Sequence, residues 1–141
     1  MKKRNEKFFA GKTWEQVFKE LNFTKHYEKL CKTLSDKKVL FYGAGLMFDY
    51  FSKNYDLSKL NIIGIADKKF EINNNKVYNG LNAIKIDDVK KIECNCIVIT
   101  TQYPVEIRNY IKRVIYKNVK CPRIYFLLNK PFMLYLEEIW E

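Results

Sequence analysis

Val39-Leu40-Phe41-Tyr42 runs directly into Gly43-Ala44-Gly45, and Leu46, Phe48, Phe51 and Tyr55 follow at helical spacing. An unbroken apolar run of β-branched and aromatic residues ended by glycines reads as a strand buried on both faces. Such a strand must be covered on both sides, which confines the chain to layered α/β arrangements. The strand, glycine turn and helix also have a chemical consequence. A tight turn at this point aims the unpaired N–H groups of the helix's first turn at one spot, which favours a phosphate or another anion.

The remaining segments repeat the alternation. Thr13 with Gln16 three residues later forms a capping box, and Trp14, Val17, Phe18 and Leu21 follow as one apolar stripe. Lys25 to Leu34 carries Tyr27, Leu30, Cys31 and Leu34 at helical spacing, with Asn22 dividing or kinking the two segments. Asn61 to Ala66 reads as a second buried strand, ended by Asp67. Lys68 to Asn79 is a polar stretch in which Asn73-Asn74-Asn75 reads as a loop, followed by an Asn79-Gly80 turn. Leu81 to Ile86 is extended, and Asp87 to Ile92 is a short helix with its acids at the N-terminal end. Cys96 to Thr101 is a strand, Val105 to Lys117 a helix, Arg123 to Leu128 the last strand, and Pro131 opens a closing helix through Trp140. Strands alternating with helices require parallel pairing and right-handed crossovers, so the expected sheet is parallel. The organisation expected is an N-terminal helical extension over 1–36, ahead of a binding domain over 37–141 that includes the closing helix.

Size and charge narrow the classes. A chain of 141 residues is one domain by size, and 48% hydrophobic content is that of a globular protein. The net charge of +10 invites a nucleic-acid reading. Against it, the lysines are dispersed and only Arg4, Arg108, Arg113 and Arg123 offer the fork that suits bidentate phosphate and base recognition. Cys31, Cys94, Cys96 and Cys121 form no metal framework, since Cys94-x-Cys96 has the wrong spacing and no second pair or histidine completes a tetrahedron. Only Phe8-Phe9-Ala10 follows the basic start, which is too short for a signal peptide. The apolar tail from Ile124 is broken by Asn129, Lys130, Pro131, Glu137 and Glu138, so no membrane span is expected. The expected location is cytoplasmic.

Ligands of such sheets bind at the carboxyl ends of the strands, where strand order reverses. That groups Gly43, Ala44, Gly45 and Leu46 after the first strand with Asp67 and Lys68 after the second, and Thr100 and Thr101 after the crossover. Asp67 lies 24 positions after Gly43, close to the roughly 20-residue offset at which a carboxylate receives ribose hydroxyls. Lys68 would partly neutralise Asp67 or reach a phosphate. The dinucleotide fingerprint is incomplete, because its third glycine position holds Phe48 and the helix cannot then approach the strand as closely.

Val39-Leu-Phe-Tyr-Gly-Ala-Gly45, Ile63-Gly-Ile-Ala-Asp67, Tyr78-Asn-Gly-Leu81 and Cys96-Ile-Val-Ile-Thr100 together resemble a Rossmann-like family. That family includes the N-terminal sugar-nucleotide-binding domain of bacterial polysaccharide acyltransferases similar to the bacillosamine N-acetyltransferase. It also includes the nucleotide-binding domains of sugar-nucleotide dehydratases and epimerases. The resemblance covers about residues 37–128. It implies a three-layer Rossmann-like parallel sheet of about five strands with an added N-terminal helical segment. It further implies a pocket lined by Gly43, Gly45, Asp67 and Thr100 that holds a UDP-sugar or NAD. The acyltransferase's hexapeptide repeats and its catalytic histidine are missing from this chain.

No reaction emerges from the sequence. Tyr55-x-x-x-Lys59 and Tyr116-x-x-x-Lys120 match a dehydrogenase pair, but 10 Tyr and 22 Lys in this length produce one or two such matches by chance. The lone His26 sits in the helical prefix and reads as a surface or packing residue. Three expectations stand. The first is a stand-alone nucleotide- or nucleotide-sugar-binding module of surface-polysaccharide metabolism, working with a partner enzyme. The second is a small NAD-dependent oxidoreductase or a fragment of a dehydratase or epimerase. The third is a ligand-free interaction protein that forms a homo-oligomer through its terminal helices. No metal is called for under any of them.

Overall fold

The computed structural model describes residues 8–129. The closing helix expected from Pro131 to Trp140 lies outside the described residues. The elements in chain order begin with helix α1 (Trp14–Glu20), helix α2 (Phe23–Thr33) and strand β1 (Lys38–Tyr42). Helix α3 (Leu46–Asn54), strand β2 (Asn61–Ala66), helix α4 (Lys69–Asn73), strand β3 (Val77–Tyr78) and strand β4 (Leu81–Ile84) follow. A 3₁₀ segment (Ile86–Lys91), strand β5 (Cys96–Ile99), helix α5 (Pro104–Tyr110) and strand β6 (Arg123–Phe126) complete the order.

Six strands form one mostly parallel sheet in the order β3-β4-β2-β1-β5-β6. Strand β1 is central and pairs in parallel with β2 on one side and β5 on the other. The outer pairs β2 with β4 and β5 with β6 are also parallel. The alternation of β1 accounts for its position. Val39 and Phe41 enter one apolar cluster, Leu40 and Tyr42 another, and all four are buried. A strand with no polar face has to sit mid-sheet.

The first cluster is built by the prefix helices and α3. Thr13 caps α1 as its sequence requires: the Gln16 N–H donates to Thr13 Oγ1 at 3.1 Å and the Thr13 N–H to Gln16 Oε1 at 2.8 Å. Asn22 divides α1 from α2 in a left-handed conformation that asparagine tolerates. The chain thereby turns Phe18 and Phe23 onto each other, ring centroids 4.4 Å apart, and sets Phe23 and Tyr27 edge-on against Phe51 of α3. The Tyr27 hydroxyl donates to the Asp56 carbonyl at 2.8 Å, and burial pushes its pKa up. Packing therefore crosses residue 36, because Phe18, Phe23, Tyr27, Leu30 and Leu34 share one cluster with Phe41, Phe48 and Phe51.

Two segments differ from the reading of the sequence. The polar stretch after Asp67 contains α4 and β3. Phe70 alone anchors α4, fully buried and 5.6 Å from the Tyr78 ring, and the other apolar residue, Ile72, is exposed two positions on, so there is no helical periodicity to detect. Strand β3, the sixth, pairs antiparallel with β4 across Asn79-Gly80, whose φ angles of 49° and 83° suit a two-residue hairpin turn. The helix from Pro104 widens into a π turn at Ile111–Ile115, closed by the Tyr116 N–H donating to the Ile111 carbonyl. The sequence spacing puts Ile107, Tyr110, Ile111, Val114 and Ile115 on one helical face; with the π turn Ile111 and Ile115 are buried while Val114 is 57% exposed. Among the described residues no helix is long and apolar enough to cross a membrane.

Candidate functional site

Strand order reverses at β1, whose successors pair on opposite sides of it, so the carboxyl ends of β1, β2 and β5 meet at one edge. Backbone hydrogen bonds continue the ladder past the strands: Gly43 N–H donates to the Ala66 carbonyl at 2.9 Å and Thr100 N–H to the Tyr42 carbonyl at 2.9 Å. The segments expected to form the site are therefore adjacent.

Gly43 adopts φ +122°, and a Cβ placed on it would stand 2.5 Å from Thr101 Cγ2 and 3.0 Å from Thr100 Oγ1. Only glycine fits a backbone so turned and so approached. Thr100 is buried, and its hydroxyl lies 2.5 Å from the Gly43 carbonyl and 3.0 Å from that of Tyr42, latching the end of β5 to the end of β1. The Thr101 hydroxyl is buried beside it with no hydrogen-bond partner among the described residues.

Asp67 braces the turn locally. Its Oδ2 accepts from the Ala44 N–H at 2.7 Å and its Oδ1 from the Lys69 N–H at 2.9 Å. The Lys69 ammonium returns a hydrogen bond to the Ala44 carbonyl while lying 4.1 Å over the Tyr78 ring. The turn after β1 is thus clamped from both sides by the segment after β2. A carboxylate offers about four acceptor directions, so two remain after this bracing. The Ala44 N–H is committed to Asp67. The N–H groups left at the helix end are those of α3's first turn, at Leu46, Met47 and Phe48, where Gly45 supplies no side-chain cap. A Cβ on Gly45 would meet nothing within 4 Å, so the space in front of that turn is open.

A cleft of about 280 Å³ lies there, lined by Trp14, Gly45, Leu46, Met47, Thr101 and Gln102, with Thr100 behind them. Leu46 is 76% exposed at its rim. Lys68 points elsewhere, with its ammonium 5.3 Å over the Tyr110 ring. Beneath that contact Tyr42 is buried, and desolvation pushes its pKa up, with Tyr110, Asp67 and Glu71 adding to the shift. Asp49, in the first turn of α3, accepts from the Tyr78 hydroxyl at 2.6 Å and from Asn79 Nδ2 at 3.1 Å, joining the β3–β4 turn to the helix that faces the cleft. Burial pushes the Tyr78 pKa up, and the bond to Asp49 acts in the same direction while Lys69 opposes it.

Gly43, Ala44, Gly45, Leu46, Asp67, Thr100 and Thr101 are thus brought to one edge, and Lys68 turns to its neighbour across the sheet. Sequence reasoning missed Lys69, Asp49, Tyr78 and Trp14. Lys69 had a signal: an aspartate tends to accept from the N–H two residues on, which fixes Lys69 beside Asp67. Trp14 had none, because a stripe at helical spacing does not say what it covers. The two dehydrogenase-like tyrosines stand away from this edge. Tyr55 packs on Phe18, Phe23 and Phe51, and Tyr116 sits in the second apolar cluster, its pKa pushed up to about 12 chiefly by burial. His26 is half-buried beside Phe23, and desolvation holds its pKa below the usual histidine value. Among the described residues no cluster of three or more metal-ligating side chains occurs.

A family model described as C2185-like, N-terminal, matches residues 35–121, more than half of the chain, and takes in the Gly43–Gly45 turn, Asp67 and Thr100–Thr101. No curated protein and no solved structure matches the chain significantly.

Proposed function

The chain belongs to the C2185-like N-terminal family, and we propose that it is a nucleotide- or nucleotide-sugar-binding module with a Rossmann-like, three-layer build. What carries the reading is one observation: the reversal of strand order coincides with an uncapped helix start and an open cleft. In this reading the N–H groups of Leu46 and Met47 receive a phosphate at the α3 start, where backbone donors and helix dipole act together. Gly45 lets the phosphate approach the backbone, and the Thr101 hydroxyl gains the partner it lacks. Asp67 positions the turn and offers its remaining acceptor directions to ribose hydroxyls. Trp14 and Met47 supply an apolar wall suited to a base or a sugar ring. The resemblance to sugar-nucleotide-binding domains favours a UDP-sugar, with a role in surface-polysaccharide metabolism beside a partner enzyme, and NAD is the second ligand.

Calorimetric titration with UDP-N-acetylglucosamine and with NAD tests this directly. Gly45→Ala is the informative variant, because φ −96° and the open space around Gly45 accommodate a methyl group in the fold. The variant is expected to remain within about 1 kcal/mol of the parent in stability. It should weaken binding at least tenfold, about 1.4 kcal/mol. Equal affinity in the two proteins would remove the phosphate from this turn.

A further inference from the structure

At the opposite end of the sheet, the segments leading into β5 and β6 each carry a cysteine that the reading above does not use. Strands β5 and β6 pair in parallel with Cys96 opposite Arg123. Two residues before that pair, just outside the ladder, stand Cys94 and Cys121. The strand ends they lead into are neighbours about 4.8 Å apart, inside the roughly 4.4–6.8 Å separation of α-carbons that a disulfide bridges. Both side chains pack on the same apolar cluster, although strict alternation would send each to the other face. They also line one cleft of about 500 Å³ with Lys120, Pro122 and Arg123, and both are half-buried rather than enclosed. By contrast Cys31 and Cys96 are buried.

We propose that Cys94 and Cys121 are a modification site, a dithiol that low-molecular-weight anionic disulfides convert reversibly to an intramolecular disulfide. The surroundings assign the order of events. Burial pushes both thiols up, and Lys112 pulls the Cys121 thiol back toward its ordinary value. Cys121, whose thiol donates to the Pro122 carbonyl at 3.2 Å, stands in sequence between Lys120 and Arg123 with Lys112 nearby, so an anionic disulfide is drawn to it first and it is the first nucleophile. Its thiolate attacks one sulfur of the small disulfide and expels one small thiolate, leaving a mixed disulfide on Cys121. The Cys94 thiolate then attacks Cys121 Sγ and expels the second. Two protein thiols are oxidised, one small disulfide is reduced to two small thiols, and the thiol protons end on the products. Lys120 and Arg123 at the cleft draw in the carboxylates of such a reagent.

The test uses the full chain in glutathione redox buffers of stepped ratio, followed by alkylation and peptide mapping. A Cys94–Cys121 linked peptide is expected, with Cys31 and Cys96 alkylated only after denaturation. In Cys94→Ala, a protein with one glutathione on Cys121 should accumulate. In Cys121→Ala, glutathionylation should be severalfold slower. The reaction should accelerate as pH rises toward the raised thiol values. Relative to their rates on the unfolded chain, glutathione disulfide should outpace the cationic cystamine, and added salt should narrow the gap. The wild-type measurement needs no folded variant. Absence of the linked peptide in fully oxidised wild-type protein, or stable glutathione on both cysteines, would overturn the proposal.

Discussion

Gly43→Ala is expected to destabilise the protein by about 4 kcal/mol, from two costs of similar size. The backbone at φ +122° is one that side-chain-bearing residues rarely adopt, costing on the order of 1–3 kcal/mol. The new methyl group would also stand 2.5 Å from Thr101 Cγ2, so the ends of β1 and β5 must part, costing on the order of 1–3 kcal/mol more. Chemical denaturation of the single variant gives the sum. Repeating it in a Thr101→Ser background, which deletes the clashing methyl, separates the terms. About half of the loss should return, and the backbone share should stay. A single variant within about 0.5 kcal/mol of wild type would mean that the turn is not the tight junction described here.

Phe51→Ala is expected to cost about 3–5 kcal/mol, the range for truncating a fully buried aromatic ring. Phe51 is 0% exposed and has ring contacts to Phe23 and Tyr27 of the prefix helix, to Phe41 of β1, and to Phe48 and Tyr55 beside it. The cavity would open between the prefix and the sheet, and rings tied to three separate elements cannot collapse into it together. The same denaturation series reads the loss. A change below about 1 kcal/mol would mean that the prefix does not form one core with the sheet.

These two positions also mark what was legible in the sequence. Val39–Tyr42 announced a central strand because four consecutive apolar residues leave no face for water. Gly43 announced the turn, since a glycine after such a run is where the chain must reverse. Asn61–Ala66 and the Asn79-Gly80 turn were readable for the same local reasons. Helix α4 was not, because one buried phenylalanine and the Asp67 carboxylate accepting from the Lys69 N–H suffice to hold a helix of five residues against a neighbour. The π turn was not, because Ile111, Val114 and Ile115 fit an ordinary helix equally well on paper. At the site, the residues that belong to strand ends could be placed from spacing alone. What each one does there depended on partners far away in sequence. Asp67 also holds the Ala44 N–H, a contact across 23 positions that spacing could not show. Trp14 reaches the cleft from the prefix, which no pattern within residues 39–101 could reveal.

The redox pair at the base of the sheet and the cleft at its top are separate in space and in test, so either can fail without the other. Mapping the backbone amide resonances of the native chain as UDP-N-acetylglucosamine is added tests whether the cleft takes a nucleotide-sugar. Saturable shifts are expected, centred on Gly45, Leu46, Met47 and Thr101, with the Trp14 indole moving in parallel. Shifts centred instead on Tyr110 and Lys90 across the sheet, or none at millimolar ligand with NAD equally silent, would contradict that expectation.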